Sequence, residues 1–206
     1  MFIGYYNKSV ILTYLGVIFG VMGIYFSFNN QILMAYLSLL ISGICDMFDG
    51  KVARKCKRNK KEKMFGIEID SLADTVNFLL LPVIIYSCSN DNSWYYSIIY
   101  ALYILSGITR LGYFNVDSYS SHIIKPVTYY SGLPVTTVSF IFPAFYILSF
   151  IIDKSSYLLL ANILMLIISF LFVYNFKLRK ATGKTLYFFL GLAIVIAIVL
   201  LGFYLL

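Results

Sequence analysis

Long apolar runs, separated by short polar segments, cover most of the chain. A helix that crosses the hydrocarbon core of a bilayer needs about 20 mostly apolar residues, and seven stretches reach or approach that length. The predicted spans are residues 10–28, 31–53, 66–88, 94–116, 132–152, 156–176 and 185–206. The pattern predicts an all-α, polytopic transmembrane bundle of about seven spans, forming a single domain over residues 1–206.

The composition supports a membrane protein. Hydrophobic residues make up 61% of the chain and charged residues 12%, whereas soluble domains carry about 25% charged residues. A chain of 206 residues has too little interior to hide so much apolar surface from water. The net charge of +7 therefore indicates contact with anionic lipid headgroups rather than with nucleic acid, for which no motif is visible.

Basic residues predict the orientation of the spans. The segment that joins the second and third spans holds seven of them: Arg54, Lys55, Lys57, Arg58, Lys60, Lys61 and Lys63. Such a segment faces the cytoplasm by the positive-inside rule. Alternation then places Lys8, Arg110 and Lys125 inside and leaves Lys154 outside. We therefore expect a cytoplasmic N-terminus.

Six of the nine acidic residues lie between Asp46 and Asp74, at the expected cytoplasmic ends of two consecutive spans. Asp46 and Asp49 are three residues apart, and Asp70 and Asp74 are four apart, so each pair shares one helix face. Because the two spans are antiparallel neighbours, the four carboxylates can converge at a similar depth.

Converging carboxylates repel one another, and burial adds to the cost of each charge. Hard divalent ions such as Mg²⁺ or Mn²⁺ relieve that repulsion, and two of them can hold a diphosphate for displacement at phosphorus. Gly50, Ala53 and Gly66 would let a nucleotide approach the same faces, and Arg54 could pair with phosphate. The residues alone leave three alternatives open: helix caps, ion pairs with the basic segment, and an ion pathway.

Two segments resemble the signature of the CDP-alcohol phosphatidyltransferases. Residues 46–54 read DMFDGKVAR and residues 66–74 read GIEIDSLAD; the signature is D-x-x-D-G-x-x-A-R followed by G-x-x-x-D-x-x-x-D. All eight fixed positions are present. Eleven residues separate Arg54 from Gly66, more than the family usually has. We expect a longer turn outside the bilayer that leaves the motif helices, residues 31–54 and 66–88, intact.

Flanking residues are similar to the phosphatidylserine synthase branch of that family. The similarity covers Phe65 with the DSLAD run, the RLGYFN run at residues 110–115 and the GLPVT run at residues 132–136. Three positions depart from the branch: Tyr113 stands where Arg is common, and Asn77 and Leu79 stand where Ser and Gly usually follow the last aspartate.

The resemblance implies a metal-dependent enzyme that transfers a phosphatidyl group from CDP-diacylglycerol to L-serine, giving phosphatidylserine and CMP. The serine hydroxyl would attack directly, with Asp74 as the catalytic base. The implied Mg²⁺ or Mn²⁺ ligands, for two ions, are Asp46, Asp49, Asp70 and Asp74. The implied CDP-binding residues are Asp46, Gly50, Ala53, Arg54, Gly66 and Asp70. Arg110 and Lys125 are the candidates for binding serine.

The resemblance also implies a six-helix core plus one further span, a homodimer, and a multi-pass location in the cell membrane with the active site facing the cytoplasm. Two other functions stay open. The same transfer could use another alcohol, such as glycerol-3-phosphate or inositol phosphate. A cation transporter or channel could use the aspartate cluster, and Arg110 could instead be an anchor to lipid headgroups.

Overall fold

The computed structural model describes residues 3–89, 94–120, 129–179 and 184–205. In these ranges six helices are long and apolar enough to cross a membrane, and a shorter apolar helix, Val135–Phe150, lies between the fourth and the fifth of them. The predicted polytopic helical bundle is confirmed. The span expected at residues 132–152 is shorter than predicted, and 3₁₀ turns form both of its ends.

The chain runs through eight α-helices in the described residues. A 3₁₀ turn, Lys8–Val10, leads into α1, and the helices are α1 (Ile11–Phe28), α2 (Ile32–Lys55), α3 (Lys60–Asp74), α4 (Leu81–Ser89), α5 (Tyr96–Ser120), α6 (Val138–Tyr146), α7 (Lys154–Val173) and α8 (Lys184–Leu205). Turns at Val135–Thr137 and Ile147–Phe150 flank α6. Strands β1 (Tyr129–Ser131) and β2 (Lys177–Arg179) pair antiparallel, which ties the segment before α6 to the segment after α7.

The second motif helix is continuous from Lys60 to Ser89 and is 30 residues long. It comprises α3, a π-helical turn at Thr75–Leu80 and α4. Asn59 and Glu62 form a reciprocal capping box, so the helix begins at Lys60 rather than at the predicted residue 66. Both motif segments are helical. Of the residues between Arg54 and Gly66, residues 60–65 lengthen the second motif helix, and only residues 56–59 form the turn.

A buried aromatic cluster holds together the end of the bundle that lies away from this turn. Tyr36, at the start of α2, stacks on Tyr146 with ring centroids 4.5 Å apart. The Tyr36 hydroxyl lies 3.3 Å from that of Tyr157 on α7. Tyr103 of α5 donates to the carbonyl of Phe78 at 2.7 Å. These contacts join α2, α5, α6 and α7 around the π-helical turn.

Several helices approach one another closely because a glycine faces a larger side chain. A Cβ added at Gly43 would overlap Ser139, and one at Gly107 would overlap Leu79. Gly20 of α1 faces Asn77 in the same way. Asn77 and Leu79, the two departures from the family after Asp74, are 3% and 0% exposed. They are therefore packing residues that glycines on neighbouring helices accommodate.

The outer faces of the bundle are apolar. Ile18 of α1, Leu105 of α5, Phe170 of α7 and Ile198 of α8 are each more than half exposed. Large exposed apolar side chains on four helices are unfavourable in water and suit contact with lipid.

Candidate metal centre

The structure brings three carboxylates from two helices together. One oxygen from each of Asp46, Asp49 and Asp70 lies within 4.8 Å of the other two. Asp46 and Asp49 belong to the last three turns of α2, and Asp70 lies in the last two turns of α3. The spacing of three residues within α2 and the antiparallel course of α3 produce this convergence.

Asp74 lies one turn beyond Asp70 and outside that group of three. It is 8% exposed, and its carboxyl group contacts that of Asp46. The Thr136 hydroxyl, from the turn before α6, also lies within hydrogen-bonding reach of Asp46. The four acidic side chains therefore form one connected cluster, with Asp74 at the end of α3 that lies away from the turn at residues 56–59.

Thr13 of α1 is a site residue that the sequence did not reveal. Its hydroxyl donates to Oδ2 of Asp49 at 2.9 Å, and both residues are buried. The two residues are 36 positions apart, and a threonine within an apolar helix carries no local signal of such a contact. The hydrogen bond fixes one oxygen of Asp49 and so orients the carboxylate.

The donor set fits a hard divalent cation. Oδ1 of Asp70 is buried and has no hydrogen-bond partner. Across the described residues, no lysine or arginine forms an ion pair with Asp46, Asp49 or Asp70. Buried carboxylates without a counter-charge are costly, and carboxylate oxygens are the ligands that Mg²⁺ and Mn²⁺ prefer. The chemistry of the cluster therefore matches the ions implied by the sequence.

Two glycines leave space beside the carboxylates. Gly50 lies one turn after Asp46, and Gly66 lies one turn before Asp70, so both lie toward the turn at residues 56–59. A Cβ at Gly50 would meet only Nη1 of Arg54 at 3.6 Å, and one at Gly66 only Nη1 of Arg58 at 3.3 Å. No neighbouring helix requires a glycine at either position. With the half-buried Ala53 and the exposed Arg54, they line an open approach to the cluster.

Arg110 of α5 lies in a separate small cavity. It is 6% exposed, donates from Nη1 to the carbonyl of Ser131 at 3.1 Å, and stacks over Phe114 at 4.4 Å. The cavity has a volume of about 180 Å³ and is also lined by Tyr113 and Asn175. The other predicted serine-binding residue, Lys125, lies outside the described residues.

Further contacts connect this cavity to the motif helices. Ser71, next to Asp70, donates to Oδ1 of Asn115 at 2.8 Å. Gly132 has a φ of +73°, and a Cβ there would meet the carbonyl oxygens of Phe172 and Tyr174 at 3.0 and 3.1 Å. A glycine is therefore needed where the chain turns against the end of α7, beside Ser131.

Comparison with known proteins agrees with the geometry. A family model described as CDP-alcohol phosphatidyltransferase matches residues 6–206. The chain is 29% identical to an archaetidylserine synthase of Methanothermobacter thermautotrophicus over 73% of its length. It is 30% identical to a CDP-diacylglycerol–serine O-phosphatidyltransferase of Helicobacter pylori over 74% of its length. An enzyme of the same name from Saccharomyces cerevisiae is 35% identical over 48% of this chain and 36% of its own.

The matched segments cover 62% of the Methanothermobacter protein and 60% of the Helicobacter protein. The chain therefore spans about three fifths of these relatives. The family match covers nearly all of the present sequence, including the aspartate cluster, both open glycines and the Arg110 cavity. On that evidence, the chain belongs to the CDP-alcohol phosphatidyltransferase family.

Proposed function

We propose that the protein transfers a phosphatidyl group from CDP-diacylglycerol to L-serine, with Mg²⁺ or Mn²⁺ at the aspartate cluster. The observation that carries the proposal is the meeting of three carboxylates within 4.8 Å, without a cationic side chain among them in the described residues, beside two open glycines. The names of the relatives from Methanothermobacter and Helicobacter support serine as the acceptor.

The donor diphosphate would lie between the cluster and the two glycines. Asp46, Asp49 and Asp70 would hold the divalent ions, with Asp74 adjacent. Bound ions neutralise a diphosphate and stabilise charge on the leaving phosphate. Gly50 and Gly66 would let the nucleotide reach the helix backbones, and Arg54 would donate to a phosphate oxygen.

Asp74 would act on the acceptor. Its carboxylate would take the proton from the serine hydroxyl as the hydroxyl oxygen forms a bond to the lipid-side phosphorus. The bond from that phosphorus to the bridging oxygen breaks, and CMP leaves with the electron pair. Transfer of a proton to a positioned carboxylate contributes about 10²–10⁴-fold to such reactions. No covalent intermediate on the protein is required.

Arg110 would bind the serine carboxylate. Its cavity, of about 180 Å³, suits a small ligand, and Arg110 is the one cationic side chain among the described lining residues. A single guanidinium suits one carboxylate. A phosphorylated acceptor, such as glycerol-3-phosphate or inositol phosphate, carries more charge than that lining would balance.

The position of the basic residues supports a cytoplasmic site. The open ends of α2 and α3 flank the segment that holds seven lysines and arginines, which the positive-inside rule places in the cytoplasm. We propose the same location for the N-terminal segment, because Asn7 donates to the carbonyl of Lys57 at 3.2 Å. We also propose a homodimer in the cell membrane, as the family resemblance implies.

The experiment that tests the function is an acceptor panel. Purified protein in lipid nanodiscs would receive CDP-diacylglycerol, Mn²⁺ or Mg²⁺, and serine, glycerol-3-phosphate, inositol phosphate or no alcohol, and CMP release would be measured. Release with serine alone is expected. Release with another alcohol would reassign the acceptor. Failure to release CMP with every acceptor would reject the transferase and favour an ion-transport function.

A further inference from the structure

Arg58, in the turn between the two motif helices, lies over the open face of α3. Its Nη1 atom is 3.3 Å from the position that a Cβ on Gly66 would occupy. Gly66 is one turn before Asp70 on the same helix face. The guanidinium of Arg58 therefore lies against Gly66, about one helical turn along α3 from Asp70.

Arg54 occupies the matching place on α2. Its Nη1 atom is 3.6 Å from the Cβ position of Gly50, which is one turn after Asp46. From its buried end, α2 thus presents a carboxylate, a glycine and the guanidinium of Arg54. On α3 a carboxylate and a glycine follow the same order, and the turn before α3 places the guanidinium of Arg58 beside that glycine. The aspartates, which suit cations, lie on the buried side of the two glycines. The guanidinium groups of Arg54 and Arg58 lie on the side of the turn at residues 56–59.

The side chain of Arg58 lacks a hydrogen-bond acceptor that a ligand could supply. Its Nε atom is buried and has no hydrogen-bond partner, and no acidic side chain in the described residues is paired with it. Leaving a charged donor buried without an acceptor is unfavourable. A guanidinium matches the geometry of phosphate oxygens better than that of other common acceptors, because its fork donates two parallel hydrogen bonds.

We propose that Arg58 binds the diphosphate of the CDP-activated donor, together with Arg54 and from the side opposite the aspartate cluster. The inference rests on the proposed function and adds a donor-binding residue from outside the family signature. The segment of eleven residues between Arg54 and Gly66 supplies this residue. The phosphate of a lipid headgroup could accept the same hydrogen bonds. The test must therefore distinguish binding of the donor diphosphate from binding of a lipid headgroup.

The test compares Arg58→Gln with Lys55→Gln, which removes the same charge from an exposed side chain at the end of α2. Binding of soluble CDP, with Mn²⁺ present, would be measured by calorimetry on protein in nanodiscs of neutral lipid. Arg58→Gln is expected to weaken CDP binding by about tenfold or more, as loss of a charged hydrogen bond does. Lys55→Gln is expected to bind CDP as the unaltered protein does.

A second arm measures KM for CDP-diacylglycerol and for serine, with and without anionic lipid. We expect Arg58→Gln to raise the donor KM in both lipid mixtures and to leave the serine KM unchanged. The donor KM of Arg58→Lys should lie between that of Arg58→Gln and that of the unaltered protein. Unchanged CDP binding in Arg58→Gln would overturn the inference, as would a defect that appears only with anionic lipid. If the unaltered protein neither binds CDP nor releases CMP, the proposed function itself fails.

Discussion

The aspartates of the cluster differ in the neighbouring groups that orient their carboxylates. Asp49 receives a hydrogen bond from Thr13 at 2.9 Å, and Asp46 lies against Thr136 and Asp74. Oδ1 of Asp70, by contrast, is buried without a partner. Hydrogen bonds from neighbouring groups orient metal ligands and are nearly as important as the ligands themselves. Thr13 is therefore expected to tune the affinity of the cluster for its ion.

Replacing Thr13 by Val should weaken divalent-ion binding by about 10–100-fold, because Asp49 loses the donor that orients it. The measurement is Mn²⁺ binding by electron paramagnetic resonance, supported by the Mn²⁺ concentration that gives half-maximal CMP release. Thr13→Ser keeps the hydroxyl and is the control, with binding close to that of the unaltered protein. Equal Mn²⁺ affinity in the Val variant would show that the contact does not orient a ligand.

The Asp74→Asn variant should lose CMP release by about 10²–10⁴-fold, because the amide cannot accept the serine proton. Binding of CDP with Mn²⁺ should persist, since Asp46, Asp49 and Asp70 are unchanged. Turnover and calorimetry on the same preparation check both parts. Full turnover in this variant would remove Asp74 as the base.

The Arg110→Ala variant should raise the KM for serine more than that for CDP-diacylglycerol, because it removes the cation proposed to bind the serine carboxylate. Arg110 also donates to the carbonyl of Ser131, so thermal stability must be measured in parallel. Arg110→Lys keeps the charge but not the fork, and an intermediate serine KM is expected. An unchanged serine KM in the Ala variant would reject the assignment.

The sequence predicted the carboxylates but not the groups around them. The spacing of Asp46, Asp49, Asp70 and Asp74 indicates shared faces on two helices, which is local information. The contact of Thr13 with Asp49 depends on how α1 packs against α2, and no spacing along the chain encodes it. Arg58 was identified only as one of seven basic residues in its segment, because its place over Gly66 follows from a turn whose form was not predicted.

At the scale of the helix, glycines serve two different purposes. Gly43 and Gly107 let helices pack closely, since a Cβ at either would overlap a buried side chain. Gly50 and Gly66 have no such neighbour and leave space at the site. The sequence does not separate the two groups, because each glycine lies in an apolar or mixed helix. Only the packing of the folded chain distinguishes them.

Substituting Gly43 by Ala should therefore destabilise the bundle by about 1–3 kcal/mol, the usual cost of overpacking a core. Gly191→Ala is the matched control, because a Cβ there would meet nothing within 4 Å, and its better helix propensity should leave stability unchanged or slightly higher. Unfolding in mild detergent, followed by circular dichroism, measures both. Equal stability of the two variants would contradict the close approach of α2 and α6.

Helix boundaries were predicted less well than helix number, for physical reasons. Hydropathy placed the start of the second motif helix at residue 66, but the capping box of Asn59 and Glu62 starts it at Lys60. Four of the six residues between, Lys60–Lys63, are charged, so they extend the helix beyond the apolar region that hydropathy detects. The π-helical turn at Thr75–Leu80, in which Asn77, Phe78 and Leu79 are buried, was not predicted, because hydropathy does not separate it from α-helix.

At the scale of the whole molecule, the segments with basic residues gather at one end. Asn7 links the N-terminal segment to the turn at residues 56–59. The β1–β2 pair brings the segment before α6 to Lys177–Arg179. The link from Ser71 to Asn115 joins the last part of α5 to the same region. By the positive-inside rule, we expect this end to face the cytoplasm.

Two native cysteines can test that orientation. Cys56 follows α2 in the turn beside the basic segment, and Cys88 lies near the far end of α4; both are partly exposed. In intact cells, a membrane-impermeant maleimide should label Cys88 and not Cys56, and in inside-out vesicles the reverse. Cys56→Ser and Cys88→Ser variants assign each signal. Labelling of Cys56 from outside intact cells would invert the proposed topology.

The π-helical turn after Asp74 has a consequence for the lengths that this chain tolerates. Because the wide turn holds one residue more than an α-helical turn would, it absorbs that residue locally. Deleting a single residue from Thr75–Leu80 would therefore restore regular α-helix and keep Ile85 and Tyr86, now fully buried, close to their present orientation relative to Asp70 and Asp74. Deleting a residue of regular α-helix between Leu81 and Ile84 would instead rotate both of them by about 100°. We therefore expect the deletion in α4 to lower stability more than the deletion in the π-helical turn, as unfolding in mild detergent would measure.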